Sequence, residues 1–208
     1  GICFYTTGEV INCSFVNNNA AEYGGAIVFY DEGHVTDCIF VNNSAKDGGA
    51  LRFQENSNVI NSIFVNNSAE DSGGAVYFYD EGEVTNCNFT NNHAKYGGAI
   101  DFDGDGTVEN CIFVKNSATD QRPDRYFGGA IVFYKNGEVT DSSFTENTAT
   151  EGGAILFKGN GKAINCDFTS NSAKFGGAID FESRATVENC NFNGNIASSN
   201  GSAIWVNR

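Results

Sequence analysis

Leucine is almost missing from these 208 residues, with only Leu51 and Leu156 present. A leucine-framed repeat, which needs that side chain at fixed offsets, is therefore excluded. Basic residues are scarce as well: 12 Lys and Arg stand against 26 Asp and Glu, for a net charge of −14. Such a balance argues against nucleic acid, which calls for a basic face, and against anionic membrane surfaces. It leaves cations, neutral glycans and basic partners open. No apolar run approaches the roughly 18 residues of a membrane span. No signal-like segment precedes Gly1, so membrane insertion is not expected of this segment. Histidine occurs only as His34 and His93, in variable slots that read as surface substitutions. There is no CxxC and no Cys/His cluster for zinc, and the nonapeptide calcium repeat GGxGxD is absent.

What the chain has instead is one unit, seen clearly in Gly24 to Asp47, GGAIVFYDEGHVTDCIFVNNSAKD, and copied from end to end. Gly-Gly pairs open copies at Gly24, Gly48, Gly73, Gly97, Gly128, Gly152 and Gly176, spaced by 24, 25, 24, 31, 24 and 24 residues. Two glycines per unit oppose helix, while Ile27-Val28-Phe29-Tyr30 and its copies are aromatic and β-branched with period 2, which describes a strand. A second strand-like stretch, Val35 to Val41, repeats as V-x-[N/D]-[C/S]-x-F. These features predict an all-β solenoid: a parallel β-helix of about eight coils of ~24 residues, three short strands per coil, stacked at the ~4.8 Å strand spacing. Residues 1–208 read as a single domain. The chain starts and ends inside a coil, so it is expected to be part of a longer array. Its unpaired end strands predict end-to-end self-association or capping by chain outside it.

The inward columns follow directly from the repeat. Phe4, Phe29, Phe53, Phe78, Phe102, Phe133, Phe157 and Phe181 share one slot. Phe15, Phe40, Phe64, Phe89, Phe113, Phe144, Phe168 and Phe192 share another. Stacked in register, they form two ladders that fill the rod. Three residues after the second ladder comes an asparagine, from Asn18 to Asn195, whose amide can bond up and down the stack. Asn12, Asp37, Asn61 and their equivalents fill a corner suited to left-handed backbone. Cys13, Cys38, Cys87, Cys111, Cys166 and Cys190 share an inward slot with Ser62 and Ser142. Their parallel Cβ vectors and the serine interchange favour free, buried thiols over disulfides.

The linked pattern C-x-F-x-N-N-x-A-x-x-GGAI resembles the repeats of adhesin-like surface proteins of methanogenic archaea and the GGAI/FxxN repeats of chlamydial polymorphic outer-membrane proteins. The resemblance covers essentially the whole chain. It implies a right-handed, single-stranded β-helix that is extracellular, displayed at the cell surface and adhesive.

Function is then sought in outward slots. On the first strand of each coil one outward column runs Cys3, Val28, Arg52, Tyr77, Asp101, Val132, Leu156, Asp180, Trp205, and the next Tyr5, Tyr30, Gln54, Tyr79, Asp103, Tyr134, Lys158, Glu182. Aromatic platforms flanked by charges suit sugar stacking and hydroxyl recognition, so Tyr30, Arg52, Tyr77, Tyr79, Asp101, Asp103 and Tyr134 are the expected ligand surface. An ordinary solvated strand face is the competing reading. Asp101 and Asp103 also form a candidate acid–base pair, but no histidine is near and the Asn-Thr-Asp, Asp-Asp and Gly-His-Gly signatures of polygalacturonases are absent, so no enzyme is expected. DFDGDG, Asp101 to Gly106, opens like an EF-hand loop, yet Ile112 stands where its bidentate Glu belongs. That leaves no cofactor beyond a weak calcium site on Asp101, Asp103 and Asp105. The seven-residue insertion before Gly128 offers Arg122 and Arg125 as loop contacts for a carboxylate or a neighbouring molecule. The expected function is adhesin-like binding of a glycan or another cell surface, with a structural spacer or filament as the alternative.

Overall fold

The computed structural model describes residues 1–119 and 127–206. The expected solenoid forms, and every strand pairing among these residues is parallel, each strand bonding to its equivalent one coil away. Nine strands from Ile2–Phe4 to Ile204–Val206 make a first sheet. Eight from Gly8–Ile11 to Ala185–Glu188 make a second, and eight from Ser14–Val16 to Asn191–Asn193 a third. Among the described residues no helix is long and apolar enough to cross a membrane.

Three strands per coil is an undercount. A fourth, shorter ladder follows the third sheet, with strands Ser44–Asp47, Ser68–Ser72, His93–Ala94 and Ser117–Ala118, then Ser172–Phe175 beside Ile196–Asn200. Bridges from Ser117 to Thr148 and from Thr148 to Ser172 join the two parts. Sequences such as SAKD and SAEDS show no apolar alternation because only the alanine points inward, so the periodicity test passes over them.

Single residues in the left-handed region make the corners. Asn12, Asp37, Asn61, Asn86, Asn110, Asp141, Asn165 and Asn189, with φ between 50° and 56°, turn the chain from second to third sheet, as the Asx column predicts. A column not foreseen, Asn17, Asn42, Asn66, Asn91, Lys115, Glu146 and Ser170, does the same after the third sheet. The Gly-Gly pair makes the last corner, where the two glycines do different things. Gly48 has φ +65°, and Gly49 lies so close to the next coil that a Cβ would run into the Gly74 carbonyl oxygen.

Inside, both phenylalanine ladders are continuous. Phe29 stacks on Phe53 with ring centroids 5.0 Å apart, Phe64 on Phe89 at 4.7 Å, and Phe113 on Phe144 at 4.8 Å. The ring repeat equals the strand repeat, so each ring meets its neighbours face to face and excludes water from the axis. The asparagine ladder is equally regular. Asn116 accepts at Oδ1 from the backbone N–H and the side-chain amide of Asn92, at 2.9 and 3.0 Å. It donates its own pair to Asn147 Oδ1, and its Nδ2 also donates to the Phe89 carbonyl at 3.0 Å.

All seven cysteines are free thiols. The slot that six of them share with Ser62 and Ser142 needs more than a small side chain. The backbone N–H of Cys38 donates to Ser62 Oγ, that of Ser62 to Cys87 Sγ, and that of Cys111 to Ser142 Oγ, at 3.1, 3.3 and 3.0 Å. Sulfur and oxygen interchange because either accepts this bond and donates back to a carbonyl two residues upstream.

These contacts separate two substitutions that lie at least three coils from either end. Asn116→Ala strands the Asn92 backbone N–H and one of its amide hydrogens, and takes the side-chain donor from the Phe89 carbonyl, while Asn147 Oδ1 keeps the backbone N–H of residue 116. It is expected to lower unfolding free energy by roughly 3 kcal/mol or more. Cys111→Ser keeps the accepting atom and should change it by less than about 1 kcal/mol. Denaturant titration followed by far-UV circular dichroism measures both, and equal losses would show that the asparagine bonds are not limiting.

Candidate functional site

The register places the outward column of the first sheet as the repeat predicts, Val28 beside Arg52, Arg52 beside Tyr77, Tyr77 beside Asp101 and Asp101 beside Val132. It is not a solvated face. Val28, Arg52 and Tyr77 are each 8% exposed, Asp180 is 4% exposed, and Asp101, Val132 and Leu156 are fully buried. The expectation that outward means exposed fails because the fourth ladder brings the residue before each Gly-Gly pair over the outside of the first sheet. Tyr23, Asp47, Ser72 and Tyr96 are bridged coil to coil, as are Glu151 and Phe175. The Arg52 guanidinium lies 4.3 Å from the Tyr23 ring centroid and 5.7 Å from that of Tyr77. Further along, Tyr96, Ala118, Phe127, Val132 and Leu156 form a second apolar cluster outside the barrel, with Tyr96 stacked on Phe127 at 5.7 Å.

This covered strip holds charge at a cost. Arg52 Nε and Nη1 have no hydrogen-bond partner and neither does Asp180 Oδ1, while the Asp101 carboxyl has no well-formed hydrogen bond, with only the Ser72 hydroxyl nearby. Arg52 and Asp101 do not neutralise each other, because Tyr77 stands between them in the ladder, two strand spacings or ~9.6 Å from one to the other. Burial first, and then the nearby Asp103 carboxylate, push Asp101 well above the usual carboxylate range, while the Ser72 hydroxyl pulls the other way. Tyr77 donates its hydroxyl proton to Asp103 Oδ2 at 2.5 Å. Burial and that bond raise the Tyr77 pKa. Three coils on, burial and the charges of Glu151 and Glu182 bring Asp180 up to about 7.

The next column is where exposure remains. Tyr30 is 39% and Tyr79 52% exposed, and Tyr5, 76% exposed, stacks on Tyr30 at 5.1 Å. Asp103 and Tyr134 are half-buried, and Lys158 Nζ lies 4.6 Å over the Tyr134 ring. Of the expected ligand residues, then, Tyr30 and Tyr79 are open to solvent, Asp103 and Tyr134 lie at the margin, and Arg52, Tyr77 and Asp101 are beneath the cover. The proposed calcium set does not converge. Asp105 has turned the next corner, where it accepts from Asn136 N at 2.9 Å and Nδ2 at 3.2 Å. Among the described residues no group of three carboxylate, histidine or cysteine side chains is close enough to hold a metal ion. Arg122 and Arg125 lie outside the described residues.

Sequence reasoning missed a groove of about 710 Å³ along the outside of the second sheet. Its floor is the column His34, Asn58, Glu83, Thr107, Glu138, Lys162, and its wall the turn residues Glu32, Glu81, Asp105, Asn136, Asn160 and Arg184. The signal was the residue after the conserved-looking turn glycine within each copy, which varies while its neighbours do not, but a single polar position per coil has no period to betray a concavity.

A family model described as the right handed beta helix region matches residues 1–168. Neither the curated proteins nor the solved structures contain a match to the chain.

The raised acids fix the sign of a pH dependence. A buried carboxyl whose folded pKa exceeds its ordinary value stabilises the fold fully below about pH 4, and that contribution is lost as pH rises through the folded pKa. For Asp180 the window closes near pH 7. Asp101, Asp47, Glu151 and Glu182 are shifted in the same direction. Stability should therefore fall from pH 5 to pH 8, with Asp180 contributing roughly 2–4 kcal/mol of the change. Asp180→Asn should remove that share and raise the denaturant midpoint at pH 8. An unchanged profile in the variant would show that Asp180 is ionised at no cost.

Proposed function

The chain belongs to the right-handed β-helix family, which holds enzymes and non-enzymes alike, and on that premise we propose that it is an adhesin-like binding protein of the cell surface that takes up a glycan along the tyrosine-bearing edge of the first sheet. One observation carries this reading: Tyr5, Tyr30 and Tyr79 keep their rings in solvent beside a strip in which Arg52 and Asp101 are buried. Exposed rings in one column, Tyr30 and Tyr79 two strand spacings or ~9.6 Å apart with Gln54 between them, are platforms on which pyranose faces stack, and Gln54 and Asp103 supply acceptors for sugar hydroxyls. A spacer needs only length, and nothing in that role favours buried charge over the valine and leucine found at the same slot in other coils. An acid–base pair of Asp101 and Asp103 is disfavoured by the cover over Asp101, since a proton donor must reach the bond it acts on. The extracellular setting is part of the same proposal and follows the repeat resemblance.

Replacing Tyr30 and Tyr79 together by serine should weaken glycan binding at least tenfold, about 1.4 kcal/mol, with little change in the thermal transition. Tyr77 is unsuitable for this purpose, because burial makes its loss a stability effect. A polysaccharide panel read for both retention and product release decides between the classes. Undiminished binding by the double variant sinks the tyrosine edge, no retention at all favours the spacer, and released product identifies an enzyme.

A further inference from the structure

The third sheet presents an outer face unlike any other on the molecule. Along its eight strands the outward positions carry a single charge, Asp167, in a chain with net charge −14. Over the first five coils they are largely β-branched and apolar, with Val16 49%, Ile39 43%, Ile63 38% and Ile112 48% exposed. Val65 and Val114 continue the second row. The register of this sheet runs without a bulge from first strand to last, whereas the fourth ladder is interrupted. The corners on both sides are mostly asparagine, several bonded to their equivalents in the next coil, as Asn110 is to Asn86 and Asn42 to Asn17. The charges among them are Asp37 and Asp141 on one side and, on the other, Lys115 and Glu146, which pair at 3.6 Å.

We propose that this face is a lateral interface through which two copies of the chain pair side by side, sheet on sheet. The occupant is set by charge. Two rods of the same strong negative sign repel at any face rich in carboxylates, such as the second-sheet groove with Glu81, Glu83 and Glu138. Among the described sheets the third carries the fewest charges at its outward positions, and its exposed isoleucine and valine side chains are apolar. A two-fold axis along the rod sets equal coils at equal height, so the isoleucine row of one copy meets the valine row of the other at the ~10 Å separation of packed sheets. Apolar coils then cover apolar coils, and the Ser, Thr, Asn and Asp coils cover one another, with Asp167 of each copy opposite Thr169 of the other. Eight strands at ~4.8 Å, each about 17 Å wide with its corner residues, give roughly 1,100 Å² of total contact, the lower end of specific interfaces. A dimer with a dissociation constant in the micromolar range is expected. This interface is independent of the glycan reading and lies on a different sheet.

Sedimentation velocity and equilibrium from 1 to 200 µM in 150 mM salt test it. The parent chain should dimerise, with a frictional ratio below that of two rods joined end to end. Ile63→Lys with Ile112→Lys should weaken dimerisation more than tenfold, and Glu83→Lys, on the second sheet, should not. Should the lysine pair impair folding, Ile39→Thr, Ile63→Thr and Ile112→Thr together use a residue already present in these rows at Thr90 and Thr145, and should still weaken it. A monomer at every concentration overturns the proposal. So does a dimer that survives either set of substitutions in folded protein, or one with the elongated shape of end-to-end joining.

Discussion

Each backbone amide of one coil bonds to the next at a fixed ~4.8 Å, and every other feature of the molecule is a response to that spacing. It requires that whatever side chain occupies a slot be tolerable directly above a copy of itself. Phenylalanine meets the requirement by stacking, asparagine by passing hydrogen bonds along the ladder, and cysteine or serine by accepting from the backbone of the coil before. A charged residue does not meet it, since its copy repels it. The charged slots are therefore the ones in which the repeat changes from coil to coil, and they are where chemistry accumulates.

The covered strip outside the first sheet shows how such a slot is handled when burial is imposed. Arg52 is held between tyrosine rings, Tyr77 is tied to Asp103, and Val132 and Leu156 pack beneath Phe127 and Tyr96. Asp101 and Asp180 have none of these remedies and respond by holding on to their protons. The strip is consequently heterogeneous along its length, charged at coils three to five, apolar in the middle and acidic again near Asp180. The barrel interior beside it hardly varies.

The fold was legible because its determinants are periodic. The glycine pairs, both phenylalanine ladders, the asparagine stack and the left-handed Asx corner could all be assigned by position, and the first-sheet register followed from them. Two things escaped for physical reasons. The fourth strand has one inward alanine and no alternation, so its existence depends on backbone bonding that no side-chain pattern reports. Exposure of the outward column depends on that same strand, so Arg52, Tyr77 and Asp101, which alternation assigns to solvent, lie beneath it. Tyr30 and Tyr79 are open to solvent because the cover leaves the following position exposed in their coils. Asp105 was grouped with Asp101 by sequence proximity, although a corner intervenes between them.

The cover has one more implication, for how such a chain can change by duplication or loss of a unit. The covering residue ends one coil and the residue it covers begins another, so Tyr23 meets Arg52 across a unit boundary rather than within one. Removing the 24 residues from Gly24 to Asp47 would leave the barrel's ladders unbroken, yet it would seat Tyr23 against the neighbourhood of Tyr77 in place of Arg52. Recombination between copies thus conserves the scaffold and reshuffles the pairings outside it, yielding new surface chemistry without a single point substitution.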